Sequence, residues 1–271
     1  MLITIHELTT YLETIAPSHY QEDYDNSGLL VGDPQTEITG VLISLDATEA
    51  VIDEAVAKGC NLVVSHHPII FRGLKRLTGR NYVERVVIKA IREGVALYAI
   101  HTNLDNVLRN GVNGKIAEKL GLENTRILAQ KPLLKNGLPA PDPEVGSGVI
   151  GALPAPMTEH DFLQLLKDTM KVGCIKHTPL RGRMIQSIAV CGGAGGFLLP
   201  RAIAAGADFF VTADYKYHEF FDADGQIVIA DIGHYESEQF TIDLLYEIIS
   251  KKYSNFAPYC TSVNTNPVHY F

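Results

Sequence analysis

The sequence predicts a mixed α/β fold made of two related halves, and three observations carry that prediction. Short apolar, β-branched runs alternate with stretches of helical period, the pattern of βαβ units. Two 27-residue segments repeat this alternation without a gap. Several of the runs end in histidine or carboxylate, where open α/β sheets bind their ligands.

The elements follow in order. Residues 5–16 have the amphipathic period of a helix, and the apolar run Gly40 to Asp46 is a buried strand. Thr48 is placed to cap a helix over 48–58 that Gly59 stops. The next strand, NLVVS, runs into His66; a helix over 81–93 leads to a third strand, Val95 to His101, and a short helix over 113–120 ends at Gly121. Lys131 to Ser147 is rich in proline and reads as a linker or long loop. Beyond it GVIGALP is a strand, 158–171 a helix, Ser187 to Cys191 a strand, 198–205 a helix, DFFVTA a strand, 215–223 a helix and Gln226 to Asp231 a strand. A single long helix over 236–252 closes the pattern, with Phe240, Leu244, Leu245 and Ile248 on its apolar face.

The repeat sets Val41–His67 against Ile188–Asp214. Ala47, Ala55, Ala57, Gly59 and Val64 meet Ala194, Ala202, Ala204, Gly206 and Val211, and strand, turn, helix and strand superpose. The predicted domains are 1–130 with 234–271, carrying most of the candidate ligands, and 131–233, an internal duplicate inserted in the first.

Composition bounds the function. At 271 residues, with 46% hydrophobic and 20% charged residues, the chain is an ordinary globular protein. No apolar run approaches the roughly 20 residues of a membrane span. The first residues carry Glu7 and Glu13 and no basic region or cleavage site, so they read as part of the fold and the expected location is the cytoplasm. Cys60, Cys174, Cys191 and Cys260 form no CxxC and sit in settings typical of buried thiols. A net charge of −8 argues against general nucleic-acid binding but accommodates a small anionic substrate at a metal.

Metal-ligand chemistry is concentrated in four segments. In VVSHHPII, His66 and His67 end a strand that Pro68 prevents from continuing; at such an exit two imidazoles can converge on a pair of ions, the alternative being two surface histidines. In YAIHTNLD, His101 ends a strand and Asp105 follows four residues later; Asp105 is either a ligand or a helix cap, and His101 a group beside the metals or a core histidine. In ADIGHYESEQF, His234 and Glu238 are spaced to share a helix face and grip one ion, whereas Glu236 is explained by the helix dipole. In TADYKYHEFFD, Asp214 stands at the repeat position of His67 and, with His218, is either a substrate contact or a solvated helix residue. CGGAGG, Cys191 to Gly196, follows a strand and is either a weak anion cradle or a tight turn.

With DNSGLLVGD, VVSHHPIIF, AIHTNLD, CGGAGG, TADYKYHE and DIGHYESE in this order, the chain resembles the Nif-three-like dinuclear-metal family, which includes type 2 GTP cyclohydrolase I homologues. Larger members carry an inserted domain between the halves, for which the stretch over 130–147 is too short. The resemblance implies that His66, His67, Asp105, His234 and Glu238 bind two divalent ions in a cleft between the halves, with Glu238 able to bridge and His101 close by. It also implies a homohexamer. His and carboxylate ligands suit zinc, iron or manganese. The leading expectation is a hydrolase in which water attacks C8 of a purine nucleotide and carbon 8 leaves as formate, His101 or Glu238 moving the proton. A metal-dependent phosphoesterase and a non-enzymatic metal-binding scaffold or regulator are the alternatives.

Overall fold

The computed structural model describes residues 3–132, 143–253 and 256–271. In chain order the elements are α1 (Ile5–Ile15), β1 (Gly28–Val31), β2 (Val41–Ser44), α2 (Glu49–Ala57), β3 (Leu62–Ser65), α3 (Tyr82–Glu93), β4 (Ala96–Ala99), α4 (Thr102–Asp105), α5 (Val112–Lys119), β5 (Glu123–Gln130), β6 (Gly146–Thr158), α6 (Glu159–Met170), β7 (Lys176–His177), β8 (Met184–Val190), α7 (Leu199–Ala204), β9 (Phe209–Thr212), β10 (Val228–Asp231), α8 (His234–Glu238), α9 (Thr241–Lys252) and β11 (Tyr259–Cys260). They form two mixed sheets flanked by helices, one in each of two compact units.

The first unit comprises residues 1–104 and 241–267. Its sheet runs β1-β4-β3-β2-β11, parallel except for β1, which lies antiparallel to β4. The parallel strands read as continuous apolar runs because both faces are covered. Leu42, Val63 and Leu97 pack with Val51, Ile52 and Ala55 of α2 and Val86, Val87 and Ala90 of α3. Local chemistry sets the helix ends as the sequence predicts. The Thr48 hydroxyl accepts from Val51 N–H to start α2, and Gly59 at φ +70° takes the left-handed turn beyond it.

The second unit comprises residues 105–240 and 268–271. Its sheet runs β5-β6-β8-β9-β10-β7, with β8, β9 and β10 parallel and the other strands antiparallel to their neighbours. Ala189, Phe210 and Ile229 pack under Leu199 and Ala202 of α7. The boundaries fall at Leu104/Asp105 and Phe240/Thr241 rather than near 130 and 234. The reason is that β5 pairs with β6, while α5 packs on β6, β8 and α8.

Other expectations are corrected as well. The final helix is two helices, broken at Gln239–Phe240. Phe240 does not share the face of α9: its ring takes the ammonium of Lys119 at 4.2 Å and of Lys171 at 5.7 Å within the second unit. Residues 217–223 form a 3-10 helix instead of an α-helix. Most of the expected loop at 131–147 lies outside the described residues; what is described shows β6 already begun at Gly146. Against the expectation of four buried thiols, Cys174 is exposed, because it lies in the turn after α6, and Cys260 on the edge strand β11 is half-buried.

The repeat is reproduced in strand register. Val41 faces Leu62 across β2–β3, and their repeat partners Ile188 and Phe209 face each other across β8–β9. In both sheets the next parallel strand, β4 or β10, is followed by an antiparallel edge strand, β1 or β7.

Candidate metal centre

In the first unit the carboxyl ends of β3 and β4 bring three imidazoles together. His66 and His67 follow β3 directly, and His101 follows β4 by two residues. Ring centroids are 4.9 Å apart for His66–His67, 5.2 Å for His66–His101 and 5.3 Å for His67–His101. One ring nitrogen from each lies within 4.8 Å of the others, so the three could hold a metal ion. His66 is fully buried, which removes the reading of a surface pair.

The Nδ1 atoms are all engaged by groups that only accept. His66 Nδ1 lies 2.9 Å from the Ile100 carbonyl, His67 Nδ1 2.8 Å from Asp46 Oδ1 and His101 Nδ1 2.8 Å from Asp25 Oδ1. A carbonyl or carboxylate cannot donate, so each Nδ1 carries the proton and the neutral ring keeps its lone pair on Nε2. That is the orientation in which histidines bind metals.

Asp25 is buried and accepts from every side. Its Oδ1 takes His101 Nδ1–H and the Asn26 N–H at 2.7 Å; its Oδ2 takes the Thr102 N–H at 3.0 Å, the Thr102 hydroxyl and the Ser27 hydroxyl at 2.9 Å. Burial pushes its pKa up, but the bonds from His101 and Thr102 outweigh burial and hold the carboxyl well below its ordinary value. Asp46 is similar: burial opposes ionisation, and His67 and Thr265 overcome it.

In the second unit α8 carries His234 and Glu238 on one face, one turn apart. His234 Nδ1 lies 2.8 Å from Asp214 Oδ2, and its Nε2 lies 3.1 Å from Glu238 Oε2. A neutral imidazole cannot donate to both carboxylates, so a cation, either a second proton or a metal ion, must reconcile Nε2 with Glu238. Two donors about 2.1 Å from one ion in cis or tetrahedral geometry stand about 3.0–3.4 Å apart, and the observed separation fits. Glu238 is only 3% exposed. A Cβ at Gly193, φ +61°, would stand 2.5 Å from Glu238 Oε1 and 3.1 Å from His234 Cε1, so glycine there makes room for both donors.

Asp105 closes α4 and does not cap a following helix; its carbonyl accepts from Asn113 Nδ2 at 3.0 Å, and α5 is entered through Gly111. Asp105 and Glu238 both lie close enough to Cys191 to reinforce burial in raising that thiol far above its ordinary pKa. Asp214, at φ +60°, orients His234. His218 is exposed, with its ring against Tyr217 and Phe221. Glu236 stands in the first turn of α8, where an acid complements the helix dipole, and is 9% exposed. The glycine-rich segment is a turn and not an anion cradle: the amides of Gly192, Gly193 and Gly195 donate to Asn113 Oδ1, Ser237 Oγ and Thr212 Oγ1.

Sequence reasoning missed Asp25 and Asp46 as groups of the centre. Asp46 ends the first predicted strand and Asp25 opens DNSGLLVGD, so both were in view, but carboxylates that grip histidines from 21 and 76 residues away follow no local spacing.

A mixed α/β fold with imidazole and carboxylate donors at strand ends defines a class of candidate metalloproteins. The family model described as Duf34/NIF3 (NGG1p interacting factor 3) matches residues 3–267, and the chain belongs to that family. A relative named GTP cyclohydrolase 1 type 2 homolog from Clostridium acetobutylicum is 32% identical over 239 residues, 88% of this chain and 86% of the relative. The crystal structure of Staphylococcus aureus hypothetical protein SA1388 is 30% identical and superposes with a TM-score of 0.91 over 100% of both chains. That of a Bacillus cereus protein related to NIF3 is 25% identical, with a TM-score of 0.89 over 100% of this chain and 99% of that one. Among the described residues no helix is long and apolar enough to cross a membrane.

Proposed function

We propose that the protein is a dinuclear divalent-metal hydrolase acting on a purine nucleotide, of the kind named in its GTP cyclohydrolase 1 type 2 relatives. His66, His67, Asp105, His234 and Glu238 are the proposed ligands of two zinc, iron or manganese ions. The observation that carries the reading is the common setting of His66, His67 and His234, whose Nδ1 atoms are each held by an acceptor, so that coordination falls to Nε2.

Two bound divalent ions supply a water of lowered pKa and a counter-charge for the oxygen that develops at purine C8. The chain's own contribution is to fix and protonate. His101 takes a proton at Nε2 while Asp25 stabilises the resulting imidazolium through Nδ1–H, and then returns it to the departing ring nitrogen. That first cleavage of a C8–N bond leaves a formamide; a second water attacks the same carbon, the remaining C8–N bond breaks, the amine so freed takes a proton and carbon 8 leaves as formate. The cytoplasm and a homohexamer complete the proposal; light scattering should give six times the 29.7 kDa chain mass.

The test is GTP incubated with protein loaded separately with zinc, iron and manganese, with formate and phosphate followed independently. Formate release that a chelator abolishes is the expected result. Phosphate without formate overturns it in favour of a phosphoesterase, and a stable hexamer without turnover in favour of a scaffold.

A further inference from the structure

The segment from Phe71 to Arg80 departs from the charge of the rest of the molecule. In a chain of net charge −8 it holds Arg72, Lys75, Arg76 and Arg80 and no acid. Residues 71–78 are exposed without interruption. Arg72, Lys75 and Arg76 form no ion pair among the described residues, whereas Arg85 and Lys89 on the adjoining helix are paired with Glu49 and Asp53.

This segment is held at both ends. Asn26 Nδ2 donates to the Ile70 carbonyl at 2.6 Å. At the other end the buried Glu84 carboxylate accepts the Thr78 N–H at 2.8 Å, the Thr78 hydroxyl at 2.9 Å and the Arg80 N–H at 3.2 Å. The bonds from Thr78 and then Arg80 bring the Glu84 pKa down to about 2, so the clamp stays charged. The segment starts at the histidine cluster: the Phe71 ring meets His101 edge-on at 5.7 Å while remaining 48% exposed.

We propose that Phe71–Arg80 is an anion-binding strap that takes the phosphate chain of a nucleoside polyphosphate, with Phe71 flanking the base beside His101. The inference rests on the nucleotide reading above and deepens it. Unpaired cations held on a clamped backbone lose less freedom on binding than cations on a loose loop. Arginine matches phosphate geometry through paired N–H donors. The confinement of the charge to ten residues suits a small polyanion better than a nucleic-acid groove.

The test uses full-length protein and its triple variant Arg72→Gln/Lys75→Gln/Arg76→Gln, with calorimetric titration of inorganic tripolyphosphate, GTP and guanosine. A charge control, Arg92→Gln/Lys167→Gln/Arg201→Gln, removes three exposed cations elsewhere. The expected result is at least a tenfold loss of affinity for tripolyphosphate and GTP in the strap variant, with guanosine affinity and metal content unchanged. Tripolyphosphate binding within twofold of the unaltered protein, an equal loss in the charge control, or strap-dependent binding to anionic vesicles or oligonucleotides without tripolyphosphate binding overturns the proposal. Strap-dependent tripolyphosphate binding without formate release refutes the hydrolase and leaves the strap; GTP turnover with strap-independent affinity does the reverse.

Discussion

Replacing Asp25 by asparagine should destabilise the protein far more than the loss of one charge suggests. Each carboxylate oxygen of Asp25 accepts one fixed backbone N–H: Asn26 on Oδ1 at 2.7 Å and Thr102 on Oδ2 at 3.0 Å. An amide must turn its NH2 toward one of them, in either orientation setting donor against donor. If the NH2 replaces Oδ1, the bond from His101 Nδ1–H is lost as well; if it replaces Oδ2, the Ser27 and Thr102 hydroxyls must reverse. With hydrogen bonds to a charged group worth about 1.5–3 kcal/mol each and one or two forfeited, the expected loss is about 1.5–6 kcal/mol.

Urea unfolding read by circular dichroism measures this loss as a lower midpoint at unchanged slope. The pH dependence gives an independent check. The folded pKa of Asp25 is depressed, so its contribution is complete above the ordinary carboxylate pKa and is lost as pH falls below about 4 toward the folded value. The variant should lack that share of the acid sensitivity, and the two stability curves should converge in acid. A loss under about 0.5 kcal/mol at neutral pH, or parallel curves down to pH 2, would refute the reasoning.

Three further outcomes are expected. Glu238→Gln should release bound metal, measured by elemental analysis, while Glu236→Gln retains it; the reverse pattern would mean that the α8 ligand is misassigned. Asp214→Ala should weaken metal binding about 10–100-fold in chelator competition by freeing His234 from its 2.8 Å contact, and an unchanged affinity would leave Asp214 without that role. Gly193→Ala should cost about 1–3 kcal/mol through its positive φ and displace Glu238, so a variant that unfolds at the wild-type urea midpoint would contradict the packing.

The sequence carried the elements that announce themselves locally. Thr48 and Gly59 bracket α2, and the apolar runs Val41–Ser44, Leu62–Ser65 and Phe209–Thr212 are strands buried along their whole length. Edge strands were less legible. β5 exposes residues such as Glu123, Asn124 and Arg126, so its membership rests on pairing with β6 and not on an apolar period. The break after Glu238 was hidden because Phe240 sits at the correct helical spacing from Leu244, yet is claimed by Lys119 and Lys171. Candidate donor residues were visible at strand ends, while the carboxylates that hold their imidazoles depend on contacts remote in sequence.

The two copies of the strand–helix–strand unit show how one scaffold can present different donors. In the first, Asp46 leaves β2 and orients His67 beyond β3. At the repeat position of Asp46 the second copy has Gly193, and at that of His67 it has Asp214. The carboxylate has moved to the far strand, and the imidazole it orients now comes from α8. An aspartate could not be kept at 193, because even a Cβ there meets Glu238 and His234. The Asp46–His67 pair of the first copy thus has a counterpart in Asp214–His234, with the carboxylate on the other strand. Gly193→Asp should therefore displace Glu238 and His234 and lower the metal content read by elemental analysis; retention of full metal content by the variant would break this argument.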